Sequence, residues 1–226
     1  MIGMSAPARI TPQERELLIA GLLRFGPIEP ADLPLLDQLG QLAQLRRGEH
    51  LLRGGERATR AGLVLQGLLR EYFLMTDGVE RTKAFVQAGE HTGSLADLLS
   101  GQPSRAFIVA EEPARVLLFD YATLRGLADQ SLIWTRWTLR MVEHLFIHKA
   151  EREYELLGLD AEARYAACAE RYPGLEARVA ARHVASYLGI TPVHLSRLRR
   201  KRREHERARA GSRSQPARLT SKRTAR

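Results

Sequence analysis

The chain has 226 residues, 44% of them apolar, and a formal net charge of +9. That apolar fraction supports a packed core in one or two domains, and no run of about eighteen apolar residues offers a membrane-spanning helix. A single cysteine, Cys168, excludes an internal disulfide and a cluster held by four thiolates of one chain. The opening MIGMSAPARITPQERELL lacks the continuous apolar stretch of a signal peptide, so a cytoplasmic protein is expected.

Residues 1–14 are expected to be a flexible N-terminus, although Thr11-Pro12-Gln13-Glu14 already has the form of a capping box that starts a helix running to about Phe25. Pro27, Pro30 and Pro34 interrupt the following stretch, with room for a short helix over Ala31–Leu39. From Gln41 the pattern changes to short β-type runs punctuated by glycine. Thr76-Asp77-Gly78, set between Leu68–Met75 and Val79–Val86, is a hairpin signal. Further strands are expected over Ala106–Ala110 and Arg115–Phe119, and this spacing predicts a small β-roll or barrel over residues 15–130.

A short helix over Tyr121–Asp129 should lead into a long one from about Ser131 to Leu157. Leu132, Leu139, Val142, Phe146 and Leu156 share one seam of that helix, with Thr135, Lys149 and Glu153 as imperfections. The seam predicts a dimer contact over residues 131–158, against a competing reading as a core helix packed on the roll. Trp134 and Trp137 are expected to pack, and Cys168 to be buried rather than reactive. His144 and His148, at i, i+4, are read as a helix face rather than a metal site. No nucleophile elbow, P-loop or metalloprotease motif occurs, so no catalytic residue, metal or enzyme activity is assigned.

Gly158–Asp160 reads as a hinge into a last domain, 159–203. Asp160 can cap a helix over Ala161–Arg171, closed by Tyr172-Pro173-Gly174. Two short helices follow. The first, about Ala180–Leu188, is stopped by Gly189; the second is opened by Thr191 as cap and Pro192 at its first position. Leu195 and Leu198 would bury one side of the second helix, leaving His194, Ser196, Arg197, Arg200 and Lys201 outside. That is a helix-turn-helix pattern, with the second helix entering a DNA major groove; an ordinary helical hairpin with a basic solvated face is the alternative.

Charge supports the first reading. Residues 199–226 hold twelve basic and two acidic side chains, +10, so the other 198 residues carry 23 basic and 24 acidic, or −1. The excess lies directly behind the reading helix, where it would attract phosphates irrespective of sequence. Residues 204–226 are expected to form a disordered basic tail.

The order β-roll, long helix, hinge, helix-turn-helix resembles the Crp/Fnr superfamily of bacterial transcription regulators. The specific part is the C-terminal stretch. Arg164, Tyr165, Tyr172, Pro173, Ala185 to Pro192 and Leu195 to Arg200 match an "R-Y…Y-P" helix followed by "I-A-S-Y-L-G-I-T-P-x-x-L-S-R-I-R-R" in one branch of that superfamily. The resemblance implies an α+β protein: a cyclic-nucleotide-binding-like roll, a dimerisation helix and a DNA-reading domain, acting as a homodimer on double-stranded DNA, with RNA polymerase as a candidate partner and no membrane.

Two departures shape the expected sites. Cyclic-nucleotide-binding members carry G-E-L, a short helix and R-S/T-A, with the Glu on the ribose and the Arg on the phosphate. Here the aligned residues are Gly93-Ser94-Leu95 and Ser104-Arg105-Ala106. Ser94 replaces the acid, and Arg105 is displaced by one residue, which turns it to the other face of a strand. Tight cyclic-AMP binding is therefore not expected, leaving no assigned cofactor and room for another small effector at this pocket. In the reading helix, only Arg197 survives of the family's R-E-x-x-x-R. Arg197 is the leading base reader, His194 and Ser196 secondary readers, Val193 a thymine-methyl contact, and Thr191, Arg200 and Lys201 phosphate contacts. The rival account is a ligand-sensing roll that signals through protein contacts, with the tail binding nucleic acid nonspecifically.

Overall fold

The computed structural model describes residues 10–27 and 38–213, with side chains to residue 205. The first nine residues, most of the short helix expected over 31–39 and the tail beyond 213 lie outside the described residues. Helix α1 (Pro12–Leu23) starts earlier than a flexible segment to residue 14 would allow, because the capping box closes: Glu14 N–H donates to Thr11 Oγ1 (3.2 Å) and Thr11 N–H to Glu14 Oε2 (2.7 Å). Arg115 then pairs with the buried Glu14 carboxylate, tying the helix to the roll.

The roll consists of strands β1 (Gln41–Leu45), β2 (His50–Leu52), β3 (Arg60–Gln66), β4 (Leu68–Leu74), β5 (Glu80–Gln87), β6 (His91–Thr92), β7 (Ala106–Ala110) and β8 (Ala114–Asp120), with the short helix α2 (Leu95–Ser100) between β6 and β7. They form two four-stranded sheets, ordered β1-β8-β3-β6 and β2-β7-β4-β5, in which every neighbouring pair is antiparallel. Alternation along the strands sends Val64, Leu69, Val86, Ile108, Val116 and Leu118 into one core between the sheets. The β4–β5 hairpin turns at Gly78, whose φ of +79° is the left-handed conformation the Asp-Gly signal predicts. A register shift between Glu71 and Tyr72 marks a bulge in that pair.

Helix α3 (Tyr121–Gln130), capped by the Asp120 carboxylate, leads into the long helix α4 (Leu132–Gly158). The reading of α4 as a core helix packed on the roll holds for one of its faces. Its first half packs on the roll: Trp134 and Trp137 are buried against Leu18, Leu22, Leu63 and Phe119, and Trp137 Nε1–H donates to Leu22 O at 2.7 Å. Its other face stays in solvent, with Leu139, Phe146 (72% exposed) and Leu157 (81%) uncovered.

The C-terminal unit holds α5 (Ala161–Arg171), α6 (Leu175–Arg178), α7 (Ala181–Leu188) and α8 (Pro192–Arg213). The single turn α6 has no counterpart in the sequence reading. The expected end of the reading helix near Lys201 and a disordered tail from 204 need correction, since α8 continues as helix to Arg213. Apolar periodicity ends at Leu198, but Arg, Lys, Glu and Ala are good helix formers and keep the helix going.

Candidate nucleic-acid interface

Local chemistry sets the geometry of the reading head. Gly189 takes a left-handed conformation (φ +68°) that ends α7, and its N–H and that of Ile190 satisfy the Ala185 and Ser186 carbonyls. Thr191 Oγ1 then accepts from His194 N–H at 3.2 Å, and Pro192 occupies the first helical position. Leu195 and Leu198 are buried with Val184 and Leu188, which fixes the rotation of α8 about its axis. The opposite edge is thereby turned outward: Thr191, Val193, His194, Ser196, Arg197, Arg200 and Lys201 are all exposed.

The basic side chains on that edge differ in their engagements. Lys201 Nζ lies 2.5 Å from Glu162 Oε2, and Arg200 Nε lies 3.7 Å from Glu204 Oε1 on the next turn. Arg199, outside the expected set, is held by Glu176 at 3.1 Å. Among the described residues no carboxylate pairs with Arg197, so its fork faces solvent without an acidic competitor. Both exposed pairs, on Lys201 and Arg200, are weak in water.

The head is seated on two other parts of the molecule. Glu155 of α4 receives Arg152 (2.9 Å) and Arg171 (2.5 Å), and Arg171 also donates to the Tyr187 hydroxyl at 2.8 Å. On the roll side, Leu68 and Phe85 belong to the same buried cluster as Tyr172, Tyr187 and Leu188. Cys168 is buried in that cluster, and desolvation pushes its thiol up to about 11, which leaves it protonated and unreactive at neutral pH. None of these contacts across domains was legible in the sequence.

The cassette of the roll has its own arrangement. Gly93 has φ +128°, and a Cβ there would meet Ala61 Cα at 3.1 Å. Ser94 and Ser104 are buried and both hydroxyls donate to Asp97 Oδ2, at 2.6 and 2.5 Å; Ala106 N–H donates to Ser104 Oγ at 3.0 Å. Leu95 is half-buried, Ala106 buried, and Arg105 exposed. Burial would raise the Asp97 carboxyl, but the hydrogen bonds from Ser104 and Ser94, with the charges of Arg105 and Lys83, hold it below its ordinary value. Asp97, which the sequence reading passed over, is thus a buried carboxylate at the centre of the cassette. Its one signal is position, three residues after Ser94 on the first turn of α2. His144 and His148 meet edge to face, with His144 also against Phe25, and among the described residues no cluster of His, Cys, Asp or Glu suits a metal.

The chain thus joins a two-sheet roll by a long helix to a helical unit that contains a helix-turn-helix. Residues 42–131 match the family model of the cyclic nucleotide-binding domain. Similar solved structures include FixK2 from Bradyrhizobium japonicum (21% identity, TM-score 0.65, covering 74% of this chain and 86% of that one) and a CooA mutant from Carboxydothermus hydrogenoformans (20%, 0.60, 76% and 79%). The catabolite activator protein of Thermus thermophilus is similar too, with 21% identity, TM-score 0.51 and coverage of 82% and 88%. No curated protein sequence matches at a significant level. Residues 42–131 therefore form a cyclic nucleotide-binding-type roll, and the chain shares the fold of these solved proteins.

Proposed function

We propose that this protein is a sequence-specific DNA-binding transcriptional regulator that acts as a homodimer. The observation that carries the reading is the two-sided character of α8: its leucines are buried to 0% and 8% exposure while Arg197, Ser196, His194 and Val193 stand in solvent on the opposite edge. Arg offers guanine two parallel hydrogen bonds, and the valine methyls suit thymine. Thr191, Arg200 and Lys201 flank these readers as phosphate contacts, and the +10 carried by the last 28 residues adds a salt-sensitive attraction.

The dimer contact is assigned to the exposed face of α4. From Phe146 to Gly158 only Arg152 and Glu155 escape full exposure, so this half of the helix has a contiguous apolar face with no intramolecular cover. A twin α4 covers it and sets two reading helices about 34 Å apart, one turn of DNA. RNA polymerase fits as a further partner and the cytoplasm as the location; among the described residues no helix is long and apolar enough to cross a membrane.

For the roll, we read a small effector other than cyclic AMP. Asp97 places a carboxylate between Ser94 and Ser104, and Arg105 is exposed, so a cyclic phosphate would meet a buried negative charge at the heart of the cassette. Calorimetry with cyclic AMP should show no binding at micromolar concentration. The DNA reading is tested by footprinting on genomic fragments. Discrete protected pseudo-palindromes are expected; uniform, salt-sensitive protection would instead support a roll that signals through protein contacts.

A further inference from the structure

We propose that the C-terminal unit carries a ligand site of its own, a cleft behind α8 that takes a small organic anion with a flat aromatic body. The inference goes beyond the DNA-binding reading and does not depend on it.

The cleft follows from the order of side chains along α8. Residues at i, i+3, i+4 and i+7 share one stripe of a helix, and on α8 that stripe reads Leu195, Leu198, Arg199, Arg202. The two leucines are buried, Arg199 is half-buried and Arg202 is exposed. Close packing therefore ends at Leu198. Beyond it the stripe has no apolar side chain to fill the space beside α5, and a cleft of about 380 Å³ opens between α5, α6 and the following turns of α8. That volume falls in the range of small-molecule sites.

The lining divides by chemistry. Tyr165, Tyr172 and Leu175, all buried, make an apolar wall. Arg199, Arg202 and Arg203 of α8 make the other wall. Glu176 lies among them, accepting from Arg199 Nε at 3.1 Å and from the Tyr165 hydroxyl. Three arginines against one glutamate leave +2 in the cleft. A neighbouring cleft of about 450 Å³ shares Tyr165, Ala169 and Arg202, but there Glu162 and Glu170 oppose the one arginine, so its charge is −1 with His205 counted as neutral. An anion thus has a preferred side. The Arg202 guanidinium carbon stands 5.8 Å from the Tyr165 ring centroid, so a flat group already rests on the apolar wall.

These walls select the ligand class. Arginine forks match carboxylate, sulfonate or phosphate oxygens in pairs, and the tyrosines and Leu175 favour a ring. Duplex DNA presents its phosphates on a convex surface and cannot fill a concave apolar floor, which favours a free small molecule as the occupant. Since Arg199, Arg202 and Arg203 belong to the helix that carries Arg197, a bound anion ties that helix to α5 and α6.

The test uses the full chain and naphthyl phosphate, with inorganic phosphate and naphthol as its two halves. Calorimetry gives affinity, and amide shifts locate the site. Naphthyl phosphate should bind with a dissociation constant of about 0.1 mM, shifting amides of α5 and of residues 199–203. Each half should bind at least about tenfold more weakly. Arg203→Gln, at an exposed position that leaves the core alone, should weaken naphthyl phosphate about tenfold. Ala169→Leu, which fills the floor without altering charge, should weaken it to a similar degree. Glu176→Gln removes the competing carboxylate and should tighten it about threefold. Inorganic phosphate binding as tightly as naphthyl phosphate would make the cleft a plain phosphate contact, open to the DNA backbone, and overturn the proposal. No binding at about 10 mM, shifts confined to the roll, unchanged affinity in Arg203→Gln or Ala169→Leu, or weaker binding by Glu176→Gln would each overturn it as well.

Discussion

Helices α4 and α8 each leave a face in solvent, and the two faces call for different partners. On α4 the exposed side chains are Leu139, Val142, Phe146 and Leu157; on α8 they are His194, Ser196 and Arg197 beside one valine. Exposed apolar surface is at a free-energy disadvantage of about 25 cal/mol per Å², which only another apolar surface relieves. An exposed guanidinium has no such disadvantage, and what attracts it is a polyanion with paired acceptors. The same observation, exposure, therefore points to a second copy of the chain in one case and to nucleic acid in the other.

The largest effect is expected where that contrast is reversed. Phe146→Asp puts a charge in the apolar face, and should convert the dimer to monomer and weaken the full operator by about a hundredfold or more. Sedimentation and titration measure both, and a variant that stays dimeric would break the α4 half of the comparison. Next is Leu195→Ala, which removes the fully buried anchor of α8 and should cost about 2–5 kcal/mol in denaturant unfolding; a loss within error would show that the helix is not seated by its leucines. Arg197→Ala should cost roughly 1–3 kcal/mol on the operator and little on random DNA, and equal losses on both would reduce the residue to a phosphate anchor.

The smallest effect lies in the roll. Asp97 has a folded-state pKa below its ordinary 3.8, so it binds a proton less readily folded than unfolded. Its stabilisation is fully present above that ordinary value and is lost as pH falls through the lower, folded one. Asp97→Asn should therefore flatten the acid limb of the stability curve below pH 3.8. An unchanged acid limb would mean that the two serine hydrogen bonds do not hold the carboxylate.

Much of the reading head was legible because its signals are local. Thr191, Pro192 and Gly189 act within one turn of themselves, and the leucine spacing fixes which side of α8 is buried. The hairpin at Gly78 and the capping box at Thr11 were legible for the same reason. The faces of α4 were only half legible. The seam of Leu139, Val142 and Phe146 stands out, but Trp134 and Trp137 find their partners in α1 and β3, far along the chain. Asp97 was missed because its partners, Ser94 and Ser104, are recognisable as a clamp only once α2 brings all three together.

The sequence alone determined most of the elements, several of their caps and turns, the alternation that makes a roll and which side of α8 is buried, since each depends on neighbours within a few residues. Tertiary structure alone decided that the head rests on the roll. Arg178 meets Glu112 across 66 positions and Ser186 meets Thr82 across 104. Nothing in local pattern encodes such pairings, because they arise only when the packing of two finished units brings complementary groups within reach.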